Sequence, residues 1–311
     1  MARRAKGPTI EGAAGTILRG MTTGGLAETE ARLERPTAWR LRRLTGRARL
    51  LFPWNLFWDQ RLVLLTLIRT QIARRHRRSV LGWAWNIIQP GSQAIILFAA
   101  TRGAIRVPDS ASPLGGFGVF FAAYIIAQGM GEIVGRGPSL VAERGGWVKG
   151  SLFPLELLAP TAVGVALYRI IPGGLLGVTA VAIGDGPGAG FATLGAFTVG
   201  LLLAIVWGTT LALGFAALGV YLRDAILAAP VITLGLIFAS PLYVNAQQGG
   251  LLPLLINLNP LTVSMNLVLF GGDWIQQHPL HFVVEVTLSF VGLWGAAIAF
   301  RRMSANFADY I

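Results

Sequence analysis

Residues 189–220 read AGFATLGAFTVGLLLAIVWGTTLALGFAALGV, thirty-two consecutive positions without a charged side chain. A helix needs roughly 20 apolar residues to cross a bilayer core about 30 Å thick. In a soluble fold, a helix of this length would have no polar face to present to water. The stretch therefore predicts a membrane-spanning helix.

The composition of the whole chain agrees with this prediction. Of its 311 residues, 54% are hydrophobic and 13% are charged, whereas a soluble domain carries about 25% charged residues. The chain has no cysteine and 3 histidines, which excludes a disulfide framework, a thiolate metal site and a cysteine nucleophile. His278 and His281 have metal-like spacing but no evident third ligand, so we interpret them as loop residues. We predict no cofactor and no metal on this chain.

Further apolar runs predict five more spans, at residues 80–101, 117–135, 156–183, 228–245 and 281–300. Residues 246–280 are also apolar, but glycine pairs and prolines interrupt them. Irregular backbone at membrane depth must be sheltered by protein or water. The sequence thus predicts an all-α polytopic membrane protein with six transmembrane helices, and outer re-entrant helices at 246–280, between spans five and six.

The distribution of positive charge predicts the orientation. Of the 26 Lys and Arg residues, 17 lie within residues 1–79. With a cytoplasmic N-terminus, 23 of the 26 face the cytoplasm, Arg102 and Arg106 face outward, and Arg169 lies within a span. Because cytoplasmic loops carry an excess of Lys and Arg, we predict that both termini are cytoplasmic.

The region before the first span divides in two. Residues 1–53 are basic and lack apolar periodicity, which predicts a partly disordered cytoplasmic tail beside the anionic membrane surface, rather than a nucleic-acid-binding arm. Residues 54–79 place Trp, Phe and Leu near helical spacing, with arginines between them. This pattern favours an amphipathic helix in the membrane interface, and the alternative is a solvated helix with one core face. Residues 80–311 form the six-span domain.

Four local patterns occur in order along the chain: RRSVLGWAW at 77–85 followed by Pro90, LFPLELLAP at 152–160, LRD at 222–224, and LNPLT at 258–262. Together they resemble the membrane subunit of type-2 ABC exporters over roughly residues 55–311. The pattern is most similar to the polysaccharide branch, which exports O-antigen, capsule or teichoic-acid chains on lipid carriers.

This resemblance implies a homodimeric permease in the inner (cytoplasmic) membrane of a bacterium. It also implies two copies of a separate nucleotide-binding subunit that bind ATP and Mg. The chain itself contains no G-x-x-x-x-G-K-[ST] phosphate loop, so we predict that it is not an enzyme and that the ATPase is another polypeptide. Nucleic acid is not an expected partner.

The resemblance also assigns roles to particular segments. It implies a coupling loop at about 136–156, which receives the ATPase. Its expected contact residues are Glu143, Arg144, Trp147 and Lys149. The segment 54–79 corresponds to a gate helix at the substrate entrance. Its expected functional residues are Trp54, Trp58, Arg74, Arg77 and Arg78.

A sugar polymer needs aromatic faces and polar side chains along its path. Spans one and five offer such residues as a candidate channel lining: Trp83, Trp85, Asn86, Gln89, Phe98, Phe238 and Tyr243. In the alternative interpretation, the tryptophans form an interfacial belt and the amides bond to neighbouring helices. Arg169 lies in mid-span, where a charge requires a partner or water. We predict a structural ion pair with Glu132 or Glu285, and a role in substrate passage is the alternative.

Two other functions remain open from the sequence. The same architecture serves export of a drug or a simple lipid. A membrane-embedded transferase or a secondary transporter is less favoured, since clustered outward-facing acids or several intramembrane acids are not evident in the sequence.

Overall fold

The computed structural model describes residues 60–75, 81–100, 110–144, 155–243, 256–304, 306, 307 and 310. Within these ranges the regular structure is helical, and no strand occurs among them. The α-helices are α1 (Arg61–Arg75), α2 (Trp85–Ala100), α3 (Pro113–Arg136), α4 (Ser139–Ala142), α5 (Leu158–Gly184), α6 (Pro187–Tyr221), α7 (Asp224–Phe238), α8 (Thr262–Gln277) and α9 (Pro279–Ser304). Short 3-10 helices, Gly82–Ala84 and Leu155–Leu157, precede α2 and α5.

The most buried of the long helices is α3, which packs chiefly against α5. Small residues bring their backbones close together. A Cβ atom added at Gly118 would lie 2.6 Å from the carbonyl oxygen of Gly177, and one added at Gly177 would lie 2.7 Å from that of Gly118. Close approach through small residues is the usual way in which membrane helices associate. This contact fixes α3 and α5 as an antiparallel pair.

One end of this pair is capped by hydroxyl and carboxylate groups. The Ser112 hydroxyl accepts a hydrogen bond from the backbone N–H of Gly115 at 2.9 Å, so it caps α3. It also donates to the Asp185 carboxylate at 3.0 Å. Asp185 lies in the tight turn from α5 to α6, where Gly186 adopts a φ of +98°. The Gly-Asp-Gly-Pro-Gly sequence at 184–188 is typical of such a turn.

The opposite end joins α6, α9 and the start of α5. The Tyr221 hydroxyl donates to the carbonyl of Met303 at 3.1 Å, and its ring contacts that of Phe307 at a centroid distance of 5.9 Å. Arg301 Nε donates to the Glu156 carboxylate at 3.0 Å. These contacts hold the last helix against the residues that lead into α5.

Four helical segments among the described residues are long and apolar enough to cross a membrane: Pro113–Arg136, Leu155–Gly184, Pro187–Tyr221 and Pro279–Ser304. They correspond to predicted spans two, three, four and six. The all-α polytopic class is therefore supported. Four of the six predicted spans are found as long apolar helices.

Predicted spans one and five are shorter in the structure. The helix α2 has 16 residues and follows a 3-10 turn, and α7 has 15 residues. A helix of 15 residues rises only about 22 Å, less than the apolar core of a bilayer. The apolar run 228–245 continues beyond α7 into turns at residues 239–243. The apolar run thus extends beyond the regular helix, and hydropathy alone does not distinguish helical residues from apolar residues in turns.

The broken segment before the last span contains α8, part of which has non-helical backbone. Gly271 has a φ of +64° within it, a left-handed conformation that glycine adopts readily. The buried Asn259 precedes α8; its amide donates to the carbonyl of Leu236 at 2.7 Å, and its side-chain oxygen accepts from the N–H of Leu261 at 2.9 Å. Residues 244–255 lie outside the described ranges. The re-entrant course of 246–280 stays a prediction.

The contact of α3 with α5 leads to a first prediction. We expect Gly118→Ala to lower the melting temperature of the protein in detergent, because the new methyl group meets a backbone oxygen that cannot turn away. Overpacking of this kind costs about 1–3 kcal/mol. The matched control is Gly195→Ala in α6, where nothing lies within 4 Å of an added Cβ. A Gly118→Ala protein as stable as the control would contradict this interpretation of the contact.

Candidate functional site

Three polar side chains lie on one stripe of the otherwise apolar α3. Tyr124, Gln128 and Glu132 are spaced four residues apart, which places them on the same face of the helix. Polar groups within a span usually face the bundle interior or a cavity. This stripe makes hydrogen bonds or ion pairs with α1, α2 and α5, and it organises the site.

The end of the stripe nearest the C-terminus of α3 is a carboxylate held between two arginines. Nη1 of Arg75, the last residue of α1, lies 2.5 Å from Oε1 of Glu132. Nη2 of Arg169, in α5, lies 2.9 Å from Oε2 of the same carboxylate. The side chains of Glu132 and Arg169 are 16% and 12% exposed, and that of Arg75 is 39% exposed. We call these three residues the Arg–Glu–Arg triad.

The rest of the stripe, towards the N-terminus of α3, is a network of amides and a phenol. The Tyr124 hydroxyl donates to Oε1 of Gln93, in α2, at 3.2 Å. The Gln128 amide donates to the same Gln93 oxygen at 3.4 Å and also to the Tyr124 hydroxyl. Gln93 is itself exposed. The polar ladder, as we call it, consists of Gln93, Tyr124, Gln128 and the triad.

The ladder gives Arg169 a partner. Of the two carboxylates considered from the sequence, Glu132 forms the ion pair. Glu285 lies in α9, 7% exposed, and its Oε1 atom has no hydrogen-bond partner among the described residues. Arg169 Nη2 also donates to the carbonyl of Gln128 at 3.2 Å. The guanidinium group of Arg169 therefore contacts two groups of α3, the Glu132 carboxylate and the Gln128 carbonyl.

Sequence reasoning did not assign Tyr124, Gln128 or Arg75 to the site. Their signal was present as a spacing of four between polar residues in the apolar α3. The position of Arg75 against α3 is a tertiary contact that the spacing of arginines on α1 does not indicate.

The predicted lining residues of α2 and of the turn before it divide into exposed and packed positions. Trp83 and Trp85 are 45% and 48% exposed, and Gln89 is exposed, whereas Asn86 is 4% exposed. Phe98 packs against Phe117 and Phe120 of α3, with ring centroids 5.5 and 5.4 Å apart. The channel-lining role of these residues stays a prediction.

The predicted lining residues near the end of α7 contact each other. Phe238 is 53% exposed, and its ring lies 5.1 Å from that of Tyr243. Tyr243 packs partly against the main core of the bundle. Phe238 ends α7 and Tyr243 lies in the turn that follows it. Their contact with a substrate stays a prediction.

The described part of the predicted coupling loop is a short turn after α3. Glu143 is exposed directly after α4, and Arg144 is half-buried and donates from Nη1 to the carbonyl of Leu140 at 3.1 Å. Burial lowers the pKa of Arg144, and the neighbouring carboxylate of Glu143 opposes that change. Trp147 and Lys149 lie outside the described residues.

The predicted gate helix is described from residue 60 to residue 75. Arg74 is exposed near the end of α1, and an added Cβ at Gly164 of α5 would meet the side chain of Ile68. Trp54, Trp58, Arg77 and Arg78 lie outside the described residues. The helix α1 therefore rests on α5 through Ile68 and reaches α3 through the triad.

A family model described as ABC-2 type transporter matches residues 63–271, about two thirds of the chain. The chain therefore belongs to the ABC-2 type transporter family. The matched region contains the whole polar ladder and the turn at Glu143. No curated protein matches the chain significantly.

The triad leads to a second prediction, on stability. We expect Glu132→Ala to destabilise the protein in detergent by about 3 kcal/mol, because it leaves a nearly buried Arg169 without its counter-charge. Arg169→Ala should lower the free energy of unfolding by a similar amount. The double variant should be destabilised by less than the sum of the two single variants, with a difference of at least about 1 kcal/mol. Thermal and chemical unfolding of the purified variants measures these differences.

The control is Arg223→Ala, which removes an exposed arginine before α7 and should leave the free energy of unfolding nearly unchanged. Strictly additive effects of the two triad substitutions would show that Glu132 and Arg169 contribute independently.

Proposed function

We propose that this ABC-2 transporter membrane component forms a homodimer that moves a lipid-linked polysaccharide, of O-antigen, capsule or teichoic-acid type, across the bacterial cytoplasmic membrane. Two copies of a separate ATPase subunit, with bound ATP and Mg, supply the energy. The observation that carries the proposal is the polar ladder, which extends from the exposed Gln93 to Arg75 within an apolar bundle.

The composition of the ladder suits a carbohydrate. Amides and phenols donate and accept hydrogen bonds, as sugar hydroxyls do. A path for a hydrophobic drug or a simple lipid would not need this row of neutral polar groups at Gln93, Tyr124 and Gln128. The four local sequence patterns favour the polysaccharide branch independently of the ladder.

The exposed face of α2 supports a dimer. Gln89, Ser92 and Gln93 are all exposed on this helix, although its mean composition is apolar. Ser92 donates to the carbonyl of Gln89, and the Gln93 oxygen accepts from α3. The remaining amide groups would find no partner in lipid, and such exposure is unfavourable by several kcal/mol. This face therefore requires water, substrate or another protein surface, and a channel shared with a second copy supplies all three.

The rival classes find less support in the described residues. A secondary transporter needs intramembrane acids that bind and release protons or cations. Glu132, the acid in α3, is engaged by two arginines. Glu285 lies on a separate helix, α9, and Glu156, at the start of the Leu155–Gly184 segment, is paired with Arg301.

We place the turn around Glu143 on the cytoplasmic side. Several exposed or half-buried arginines occupy the same end of the described bundle: Arg136, Arg144, Arg223, Arg301 and Arg302. A cytoplasmic location follows from the positive-inside rule. It puts both termini in the cytoplasm and presents the exposed Glu143 to the ATPase.

A third prediction tests the transport function. We expect the chain to co-purify with an ATPase encoded beside it, and a lipid-linked glycan to stimulate ATP hydrolysis by that complex in lipid nanodiscs. Deleting the gene should remove the surface glycan. Stimulation by drugs or simple lipids but not by the glycolipid would instead favour the drug or lipid branch. Absence of any associated ATPase, with unchanged surface glycan, would refute the proposal.

A fourth prediction tests the coupling turn. We expect Glu143→Ala to reduce glycolipid-stimulated ATP hydrolysis to the basal rate and to abolish export, because Glu143 is an exposed charge beside the proposed ATPase contact. Trp147→Ala should act in the same way. Cross-linking of the purified variants should still detect the membrane dimer.

The matched control is Asp224→Ala, which removes an exposed carboxylate at the start of α7, outside the proposed loop. It should leave stimulated hydrolysis unchanged. Loss of the dimer in the Glu143→Ala protein would contradict a role confined to coupling.

A further inference from the structure

The triad carries more positive than negative charge. Two guanidinium groups share one carboxylate, which leaves one formal positive charge among side chains that are mostly shielded from solvent. An uncompensated charge in such a position is unfavourable unless an anion or water accompanies it. The triad therefore has the electrostatic character of an anion site that Glu132 fills incompletely.

The hydrogen bonds of the triad show the same incompleteness. A guanidinium fork binds a carboxylate best through two parallel N–H groups, yet each arginine approaches Glu132 through one nitrogen. Arg169 Nε is buried and has no hydrogen-bond acceptor among the described residues. Glu132 Oε2 lies near Arg169 Nη2, but it accepts no aligned hydrogen bond within the same part of the chain. Donors thus remain available on the buried side of the site.

The triad lies near the C-terminal end of α3. Glu132 lies four residues before the end of α3, a rise of about 6 Å from that end. Arg75 ends α1 and is the most exposed member. In the orientation proposed above, this is the cytoplasmic end of α3, and an anion can approach it from the side of Arg75.

We propose that Arg75 and Arg169 form a binding site for a lipid phosphate group, and that Glu132 occupies this site as an internal carboxylate when no phosphate is bound. The proposal builds on the proposed transport function, because it names the phosphate of the lipid as the part that this end of the ladder recognises.

The chemistry of exchange is simple. A phosphate monoester such as that of phosphatidic acid carries more negative charge than a carboxylate and offers three acceptor oxygens in a tetrahedral arrangement. It can accept from Arg75 and from the unused Nε of Arg169 together, which one carboxylate does not do in the observed geometry. Arg75 is the contact between α1 and α3 through Glu132, so displacement of Glu132 also releases that end of α1.

The experiment uses the full-length protein in phosphatidylcholine nanodiscs, with and without phosphatidic acid as the probe. Bound phosphatidic acid is counted by native mass spectrometry, and its affinity is obtained from the titration. We expect Arg75→Gln to weaken binding about tenfold, the effect of losing one charge-assisted hydrogen bond. Arg169→Gln should do the same.

The decisive variant is Glu132→Gln, which keeps both arginines and removes the competing charge. We expect it to bind phosphatidic acid about tenfold more tightly than the wild type. A purely structural triad would instead lose affinity, or show no change, on this substitution. The matched control is Arg69→Gln on the same helix, an exposed arginine outside the triad, which should bind as the wild type does.

Inorganic pyrophosphate in solution forms the second arm of the test. Binding of phosphatidic acid but not of pyrophosphate supports a lipid phosphate, whereas equal binding of the soluble anion would overturn the lipid assignment. Equal affinity of the wild type and of all three triad variants for phosphatidic acid would overturn the site itself. These binding results are independent of ATPase stimulation by a glycan, so the site and the transported polymer can fail separately.

Discussion

The close approach of α3 and α5 is the constraint on which the rest of the bundle depends. At Gly118 and Gly177 each backbone lies where the other's Cβ would be, so the two helices have one register. That register places Arg169 of α5 against Gln128 and Glu132 of α3. A shift by one residue would rotate Arg169 by about 100° around its helix, away from its counter-charge. The packing of uncharged glycines thus determines which charged residues of α3 and α5 come into contact.

The polar ladder then joins elements that packing alone would leave loosely held. The helix α1 has no buried residue, and its attachment to the bundle combines the contact of Ile68 with the ion pair of Arg75. Because that pair is partly exposed, it is weaker than the pair formed by Arg169. The ladder is therefore firmest between α3 and α5 and most easily opened at α1, the element we propose to lie at the substrate entrance.

The sequence predicted much of the fold and less of the site. Charge-free runs such as 189–220 identify spans because an unpaired charge is costly in lipid, and the turn at Asp185 follows from its glycines and proline. Spans one and five stay predictions, since the described helices α2 and α7 are shorter than the apolar runs and the residues after Phe238 enter turns. Arg169 was predicted to have an ionic partner because an unpaired charge within a span is energetically unfavourable. The choice of Glu132 over Glu285 as its partner depends on tertiary register, which no local pattern encodes.

The arrangement at the arginine-rich end also suggests how a signal at the proposed coupling loop can reach the ladder. Residue 155 opens a 3-10 turn that leads directly into α5, and Arg169 lies eleven residues after the start of that helix, a rise of about 16 Å. Glu156, in the same turn, is paired with Arg301 of α9, which links the two segments. A helix transmits displacement along its axis because its backbone hydrogen bonds are continuous. Because α3 and α5 share one register, movement of the loop that feeds α5 would carry Arg169 and Glu132 together, and the more exposed pair of Glu132 with Arg75 on α1 is the contact most directly affected.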